Sequence, residues 1–412
     1  MLKRSLEGPL RAALADTPVV MLVGARQAGK STLAAAMTPT GEADYLSFDD
    51  PVVLASARAD PAAFVAGLGD VVLDEVQRVP EIFLPIKVAV DKDRKPGRFL
   101  LTGSANPLFV PEVAEALAGR MEVLTLWPFS QAELEGQGEA SIARFLLDRK
   151  EPSFTSVPLS KEELVARVAR GGFPEVVERD DWERRGRWFS SYLTTILERD
   201  VRAIADIARL EQLPAVLTAV ALRSRGPMNR SALSQDLGIP GSSIERYLAL
   251  LERVFLVRRL PAWHNRLGPR LVKAPKLLLC DSGLLCHLLR WEGERLLSDP
   301  TAFGLALESF VGMELVKAAA LSSSARLMHY RTSKGAEIDF ILEGGDGRIA
   351  AIEVKASTSI GADDFRRFEP LREGLGSRFA RGVVLYPGAR RVSFGDRLEA
   401  WPISYLWSSG GR

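Results

Sequence analysis

Gly24-Ala25-Arg26-Gln27-Ala28-Gly29-Lys30-Ser31 follows the G-x-x-x-x-G-K-[ST] spacing, in which a glycine-rich turn wraps nucleotide phosphates in backbone N–H groups. Gly24, Ala25, Arg26, Gln27, Ala28, Gly29, Lys30, Ser31 and Thr32 are therefore expected to bind ATP. Lys30 would reach the β- and γ-phosphates, and the Ser31 hydroxyl would hold Mg²⁺. Val71-Val72-Leu73-Asp74-Glu75 is an apolar run ending in two carboxylates. Downstream of a phosphate loop, Asp74 would hold Mg²⁺ through water and Glu75 would polarise the attacking water. A second set of charges lies near the other end of the chain. Asp339 and Glu353 sit on two strand patterns with Lys355 two positions on, and Glu308 is near the start of the helix pattern Gly304–Val316, read as amphipathic. Adjacent strands would bring the two carboxylates together, with Lys355 on the same face. Two or three carboxylates there would bind Mg²⁺, which generates hydroxide and stabilises a phosphorane.

The elements that must position these residues are readable as patterns. Val19–Val23, before the loop, is the continuous apolar run of a buried parallel strand, and Thr32–Met37 after it reads as a helix. Phe99–Leu101 is another strand, ending in Thr102-Gly103-Ser104-Ala105-Asn106; a helix over Glu112–Ala118 and a strand over Met121–Leu126 follow. Glu135–Leu159, with two glycines and two prolines, reads as a linker. Lys161–Ala169 is a helix stopped by Gly171-Gly172, and Trp182–Ile207 a long amphipathic helix. Leu213–Val257 has a helix-turn-helix pattern: Asn229 caps Arg230–Leu237, and Ser242 or Ser243 caps Ile244–Leu251. Phe255–Leu260 then begins a wing. In such a module Ser242, Ser243, Arg246 and Tyr247 face the nucleic acid, and Arg258, Arg259, Arg266 and Arg270 hold phosphates from the wing.

Bulk properties set the frame. A chain of 412 residues exceeds one ordinary core. Its 47% hydrophobic and 26% charged content is that of a soluble globular protein. Cys280 and Cys286 are too few for a disulfide framework or a zinc site. The start, Met1–Glu7, has no long apolar region and no run is long enough for a membrane span, so no signal peptide and no membrane partner are expected, and the location expected is cytoplasmic. The net charge of +2 hides an asymmetry. Arg209–Lys276 holds twelve Lys or Arg against four Asp or Glu, which points to an anionic partner, DNA, or else to arginines paired with acids elsewhere.

Arg26–Thr32, Leu73-Asp74-Glu75-Val76-Gln77, Thr102-Gly103-Ser104 and Leu117-Ala118-Gly119-Arg120 together resemble the predicted AAA+ superfamily ATPases of bacteria and archaea that carry a C-terminal domain of unknown function. Gly171-Gly172-Phe173-Pro174-Glu175, Glu198-Arg199-Asp200, Asp281-Ser282-Gly283-Leu284 and Ile352-Glu353-Val354-Lys355 extend the resemblance over nearly the whole chain. It implies a polar sensor among Thr102, Ser104 and Asn106, a helical lid at Trp182–Ile207, and Arg120 as a finger reaching a neighbour's γ-phosphate. The finger in turn implies a homo-oligomer, with a hexamer as the common ring. Glu308, Asp339, Glu353 and Lys355 are similar to the site of PD-(D/E)xK, Holliday-junction-resolvase-like nucleases. The expected fold class is α/β: a P-loop AAA+ core (1–134), a linker and helical lid (135–207), a winged helix-turn-helix (208–297) and a restriction-endonuclease-like α/β domain (298–412). The expected function is ATP hydrolysis coupled to DNA binding or remodelling, with branched DNA among the substrates. The alternatives are a nucleotide-switched signalling ATPase acting through protein contacts and an ATP-dependent metal nuclease.

Overall fold

The computed structural model describes residues 2–37, 44–105, 117–137, 142–148, 158–204, 209–264, 274–322, 324–332 and 335–408. The chain divides into two compact units. One is Lys3–Pro128 with Arg253–Phe255; the other comprises Phe129–Glu252 and Leu256–Arg412.

In the first unit, α1 (Glu7–Asp16) leads into β1 (Val19–Val23), α2 (Lys30–Met37), β2 (Asp44–Ser47), α3 (Pro51–Ala59), α4 (Pro61–Ala66), β3 (Val71–Asp74), α5 (Phe83–Lys92), β4 (Phe99–Gly103) and β5 (Met121–Thr125). The five strands form one parallel sheet in the order β2-β3-β4-β1-β5. The inner strands β1, β3 and β4 are buried along their whole length, as continuous apolar runs must be when helices cover both faces. The edge strands β2 and β5 are mostly exposed or half-buried. The phosphate loop leaves the C-terminal end of β1, between β4 and β5, while the chain departs for the far edge. Parallel sheets offer their ligand crevice at such a switch point.

The second unit opens with α6 (Gln131–Leu134), α7 (Ile142–Leu147), α8 (Lys161–Arg170), α9 (Pro174–Val177) and α10 (Trp182–Thr195). The long helix expected from Trp182 is interrupted: α10 passes through a π-helical turn, Ile196–Asp200, into α11 (Val201–Ile204). Three helices, α12 (Leu213–Leu222), α13 (Arg230–Leu237) and α14 (Gly241–Arg253), precede the antiparallel pair β6 (Val257–Leu260) and β7 (Lys276–Leu279). Asn229 caps α13 as expected, accepting from Ala232 N at 3.0 Å. The cap expected at Ser242 or Ser243 is not there. Ile244 N already donates to Pro240 O at 3.0 Å, so α14 starts a turn earlier and both serines lie inside it.

Beyond them come α15 (Ser282–Leu289), α16 (Gly293–Ser298), α17 (Pro300–Ala320), β8 (Arg326–Arg331), β9 (Glu337–Glu343), β10 (Ile349–Val354), α18 (Glu369–Leu375), β11 (Phe379–Tyr386), β12 (Val392–Gly395) and β13 (Leu398–Pro402). A six-stranded mixed sheet runs β12-β13-β11-β10-β9-β8, with β10, β11 and β13 mutually parallel. Phe365, Phe368, Phe379 and Val384 are in its core. The helix carrying Glu308 is longer than its sequence pattern suggested, and it is buried on every side from Leu305 to Val316 rather than amphipathic. Such a helix is internal. Gly312 admits Phe340 and Leu278, whose atoms lie 2.8 and 2.9 Å from where a Cβ would stand. Among the described residues no helix is long and apolar enough to cross a membrane.

Candidate functional site

The phosphate loop is built around its glycines. Gly24 has φ +150°, and a Cβ there would fall 2.0 Å from the Leu126 carbonyl oxygen; Gly29 has φ +96°. Neither position accepts a side chain. Lys30 is buried, and its ammonium donates to the carbonyls of Gly24 at 3.0 Å and Ala25 at 2.9 Å. This holds the charge at the mouth of the loop. Ser31, at the start of α2, donates from Oγ to Asp74 Oδ1 at 2.9 Å. Ser47 reaches Asp74 Oδ2 at 3.3 Å, and Thr102 donates to Oδ1. A hydroxyl and a carboxylate side by side are hard oxygen donors, and they fit Mg²⁺.

Glu75 follows Asp74 in the left-handed region at φ +61°, an uncommon place for a residue with a side chain. Its N–H donates to Thr102 Oγ1 at 3.2 Å. Its carboxylate accepts from Ser104 Oγ at 3.0 and 3.1 Å and from Gln77 Nε2. Of the three sensor candidates, then, Thr102 serves Asp74 and Ser104 serves Glu75; Asn106 lies outside the described residues. Two residues that sequence reasoning passed over stand here. Tyr45, on edge strand β2, stands beside Asp74; partial desolvation of the ring hydroxyl and that carboxylate push it up to about 12. Arg4 donates to Ala28 O and Trp127 O, each at 2.6 Å, bracing the loop from behind. Neither lies in a spacing pattern that would have revealed it. Arg120 is bound within its own chain. It grips both oxygens of Asp91, at 2.6 and 3.1 Å, and holds that carboxyl below its usual range.

In the second unit, β9 and β10 are antiparallel with Ile352 opposite Phe340. That register carries Glu353 opposite Asp339 on one face, and α17 adds Glu308. The three carboxylates therefore converge. The lysine among them is Lys276, the first residue of β7, which is wholly buried and donates to Glu308 Oε1. Arg225 donates to the other Glu308 oxygen at 3.0 Å, Arg367 to Glu353 Oε1, and Val354 N to Asp339 Oδ2 at 2.9 Å. Lys355 pairs instead with Asp364 at 3.0 Å. Burial, and then Asp339, push Glu353 up to about 8; burial pushes Glu308 up to about 6 against the pull of Lys276. The set does not fit the divalent cation expected of it. Both Glu308 oxygens, Glu353 Oε1 and Asp339 Oδ2 are engaged by the protein's own cations and N–H groups, while Glu353 Oε2 is buried with no hydrogen-bond partner among the described residues. Among the described residues, no three Asp, Glu, His or Cys side chains are arranged to hold a metal.

Residues 16–135 match a family described as an AAA domain; 161–295 and 303–406 match two domains of unknown function, DUF8612 and DUF4143. Over 410 residues the chain is 30% identical to the uncharacterized protein Rv2008c of Mycobacterium tuberculosis, covering 99% of this chain and 85% of that one. It is equally similar to Mb2031c of Mycobacterium bovis. The chain belongs to their family. An uncharacterized Haemophilus influenzae protein is 25% identical over 282 residues, 66% of this chain and 62% of its own. Among solved structures, the Walker-type ATPase PABY2304 of Pyrococcus abyssi has a TM-score of 0.44 at 16% identity, covering 70% of this chain and 96% of that one. The STAND protein PH0952 of Pyrococcus horikoshii has a TM-score of 0.21 at 11% identity, covering 76% of this chain and 48% of that one. The AAA-domain match falls on the phosphate-loop unit, whose parallel sheet and loop are those of a P-loop ATPase core.

The DNA-facing residues expected from the helix-turn-helix pattern divide. Ser242, Arg246 and Arg258 are exposed and Ser243 is half-buried. Tyr247 cannot face a nucleic acid. It is buried with Ile244, Leu248 and Leu251 on the inner face of α14, and its hydroxyl is hydrogen-bonded at Arg209 O (3.1 Å) and Gln212 Oε1 (3.0 Å). Arg259 is shared between Glu245 and Glu252, at 2.6 and 3.0 Å. Arg266 and Arg270 lie outside the described residues. Part of the basic excess is therefore matched internally, with Arg223 on Asp236 and both Arg225 and Lys276 on Glu308.

Proposed function

We propose that this protein is an ATPase acting with Mg²⁺. The observation that carries the reading is the convergence of Lys30, Ser31, Asp74 and Glu75 at the C-terminal ends of β1 and β3, with Ser104 on the Glu75 carboxylate. Loop N–H groups and Lys30 would hold the β- and γ-phosphates, and Ser31 and Asp74 would hold the metal. Bound Mg²⁺ supplies neutralisation of the phosphate oxygens. Glu75 would accept a hydrogen bond from water. The water oxygen then bonds to the γ-phosphorus, the bond to the bridging oxygen breaks with its electron pair leaving on ADP, and the water's proton passes to the Glu75 carboxylate and on to solvent. In a phosphate-release assay Lys30→Ala should lose nucleotide binding together with turnover, and Glu75→Gln should bind ATP but lose turnover by roughly a hundredfold or more. Near-normal turnover in either variant would remove these roles.

The second part of the proposal is coupling to DNA. Exposed Arg230, Arg246 and Arg258, around a helix and a two-stranded hairpin, support a winged helix that meets phosphates. The C-terminal sheet is then a nuclease-like platform that binds rather than cuts, since Glu308 and Glu353 carry their own cations. A homo-oligomer remains part of this reading. For Arg120 to reach a neighbour's nucleotide, it would first have to leave Asp91.

A further inference from the structure

We infer that Gln77 is a positioning residue for the Glu75 carboxylate. The inference rests on the reading of Glu75 as the group that polarises water. Gln77 lies two residues beyond it, on the single turn of 3-10 helix that Val76–Arg78 forms after the strand. Both ends of its side-chain amide are used. Nε2 donates to Glu75 Oε2, and Oε1 accepts from Ser104 N at 3.3 Å. Ser104 in turn donates its hydroxyl to Glu75. Glu75, Gln77 and Ser104 therefore close a ring of hydrogen bonds between the end of β3 and the end of β4. Gly103 keeps the seat open: a Cβ there would come within 3.1 Å of Gln77 Oε1.

The ring has a chemical purpose. A glutamate has three side-chain torsions, and one that must meet a water in line with a phosphorus loses rate when it wanders. Glu75 starts from a left-handed backbone, so its carboxylate leaves the chain in a direction set by the turn. An amide fixed at its far end to the β4 backbone removes the remaining freedom. It offers only a neutral N–H to the carboxylate, so an oxygen of Glu75 stays available to accept from water.

The test uses the full-length protein with Gln77→Met, which keeps the length but loses both hydrogen bonds, and Gln77→Glu, which keeps the Oε1 acceptor but sets an anion against Glu75. Binding of Mg²⁺ and a fluorescent ATP analogue is measured beside steady-state hydrolysis. Both variants should bind nucleotide within about twofold of wild type, while kcat falls roughly tenfold to a hundredfold. Gln77→Glu should fall at least as far as Gln77→Met; a side chain that only filled space would tolerate glutamate. Wild-type kcat in either variant would overturn the inference. So would loss of nucleotide binding along with turnover, since Gln77 would then support the fold rather than the carboxylate. Glu75→Gln separates the two levels. If that variant still hydrolyses ATP, the reading of Glu75 fails; if it is inactive while the Gln77 variants are normal, the inference alone fails.

Discussion

A lysine with no exposed surface is costly unless its charge is matched, and Lys276 is matched by Glu308 and flanked by the Phe340 ring at 4.6 Å. Burial pulls its pKa down, but Glu308 and Asp339 outweigh burial and the net is upward. Lys276→Met should destabilise the second unit by roughly 3–5 kcal/mol, read from urea unfolding, because it strands buried carboxylates. Burial also raises Glu308 and Glu353, to about 6 and about 8. The folded state then holds these protons more tightly than the unfolded chain. Their stabilising contribution is complete below the ordinary carboxyl range and is lost as pH rises through 6 and 8. The thermal midpoint should therefore fall towards alkaline pH, and Glu353→Gln should flatten the upper part of that fall. An unchanged slope in Glu353→Gln would assign the dependence elsewhere. The three acids were legible from strand and helix patterns. Lys276 was not, because a lysine at the head of Leu277-Leu278-Leu279 looks like an ordinary strand edge until α17 is laid across it.

At the level of elements, two motifs far apart in sequence prove to be halves of one joint. Asp281 caps α15, accepting from Leu284 N at 3.0 Å, and its second oxygen accepts from Gly172 N at 2.7 Å. Gly171, at φ +73° and ψ −156°, leaves no room: a Cβ would sit 2.1 Å from Asp281 Oδ1. Phe173 then enters the ring cluster of Trp188, Phe189 and Tyr192. Gly171→Ala should cost roughly 3 kcal/mol or more, from strain and overlap together. Asp281→Ala should cost roughly 2–3 kcal/mol for the N–H groups it abandons. Equilibrium unfolding checks both, and a loss below 1 kcal/mol in Gly171→Ala would refute the joint. The strings Gly171–Glu175 and Asp281–Leu284 stood out in the sequence, but their meeting depends on tertiary contact across 109 positions, which no local pattern encodes. The P-loop strands were legible for the opposite reason: sheet burial on both faces writes itself as an unbroken apolar run. Tyr247 was misplaced because an aromatic on a helix reads as a stacking group or as core with equal ease.

For the molecule as a whole, the basic surface left after internal pairing is what the proposed coupling to DNA depends on. Arg246 and Arg258 are exposed, whereas Arg259 is tied to two glutamates. Reversing Arg246 and Arg258 to Glu should weaken duplex binding and reduce its salt slope by about two, while Arg259→Glu should chiefly destabilise α14. Unchanged affinity and slope would favour a protein-contact module and the signalling reading. The strand order of the first sheet bears on how the protein is made. Its inner strand β1 emerges early, yet its two partners, β4 and β5, begin about 80 and 100 residues later. At about 5–20 residues per second of synthesis, Val19–Val23 waits roughly 5 to 20 s on the ribosome as an unpaired, wholly apolar ribbon. During that interval the segment that will carry the phosphate loop exposes apolar residues that only later strands will cover.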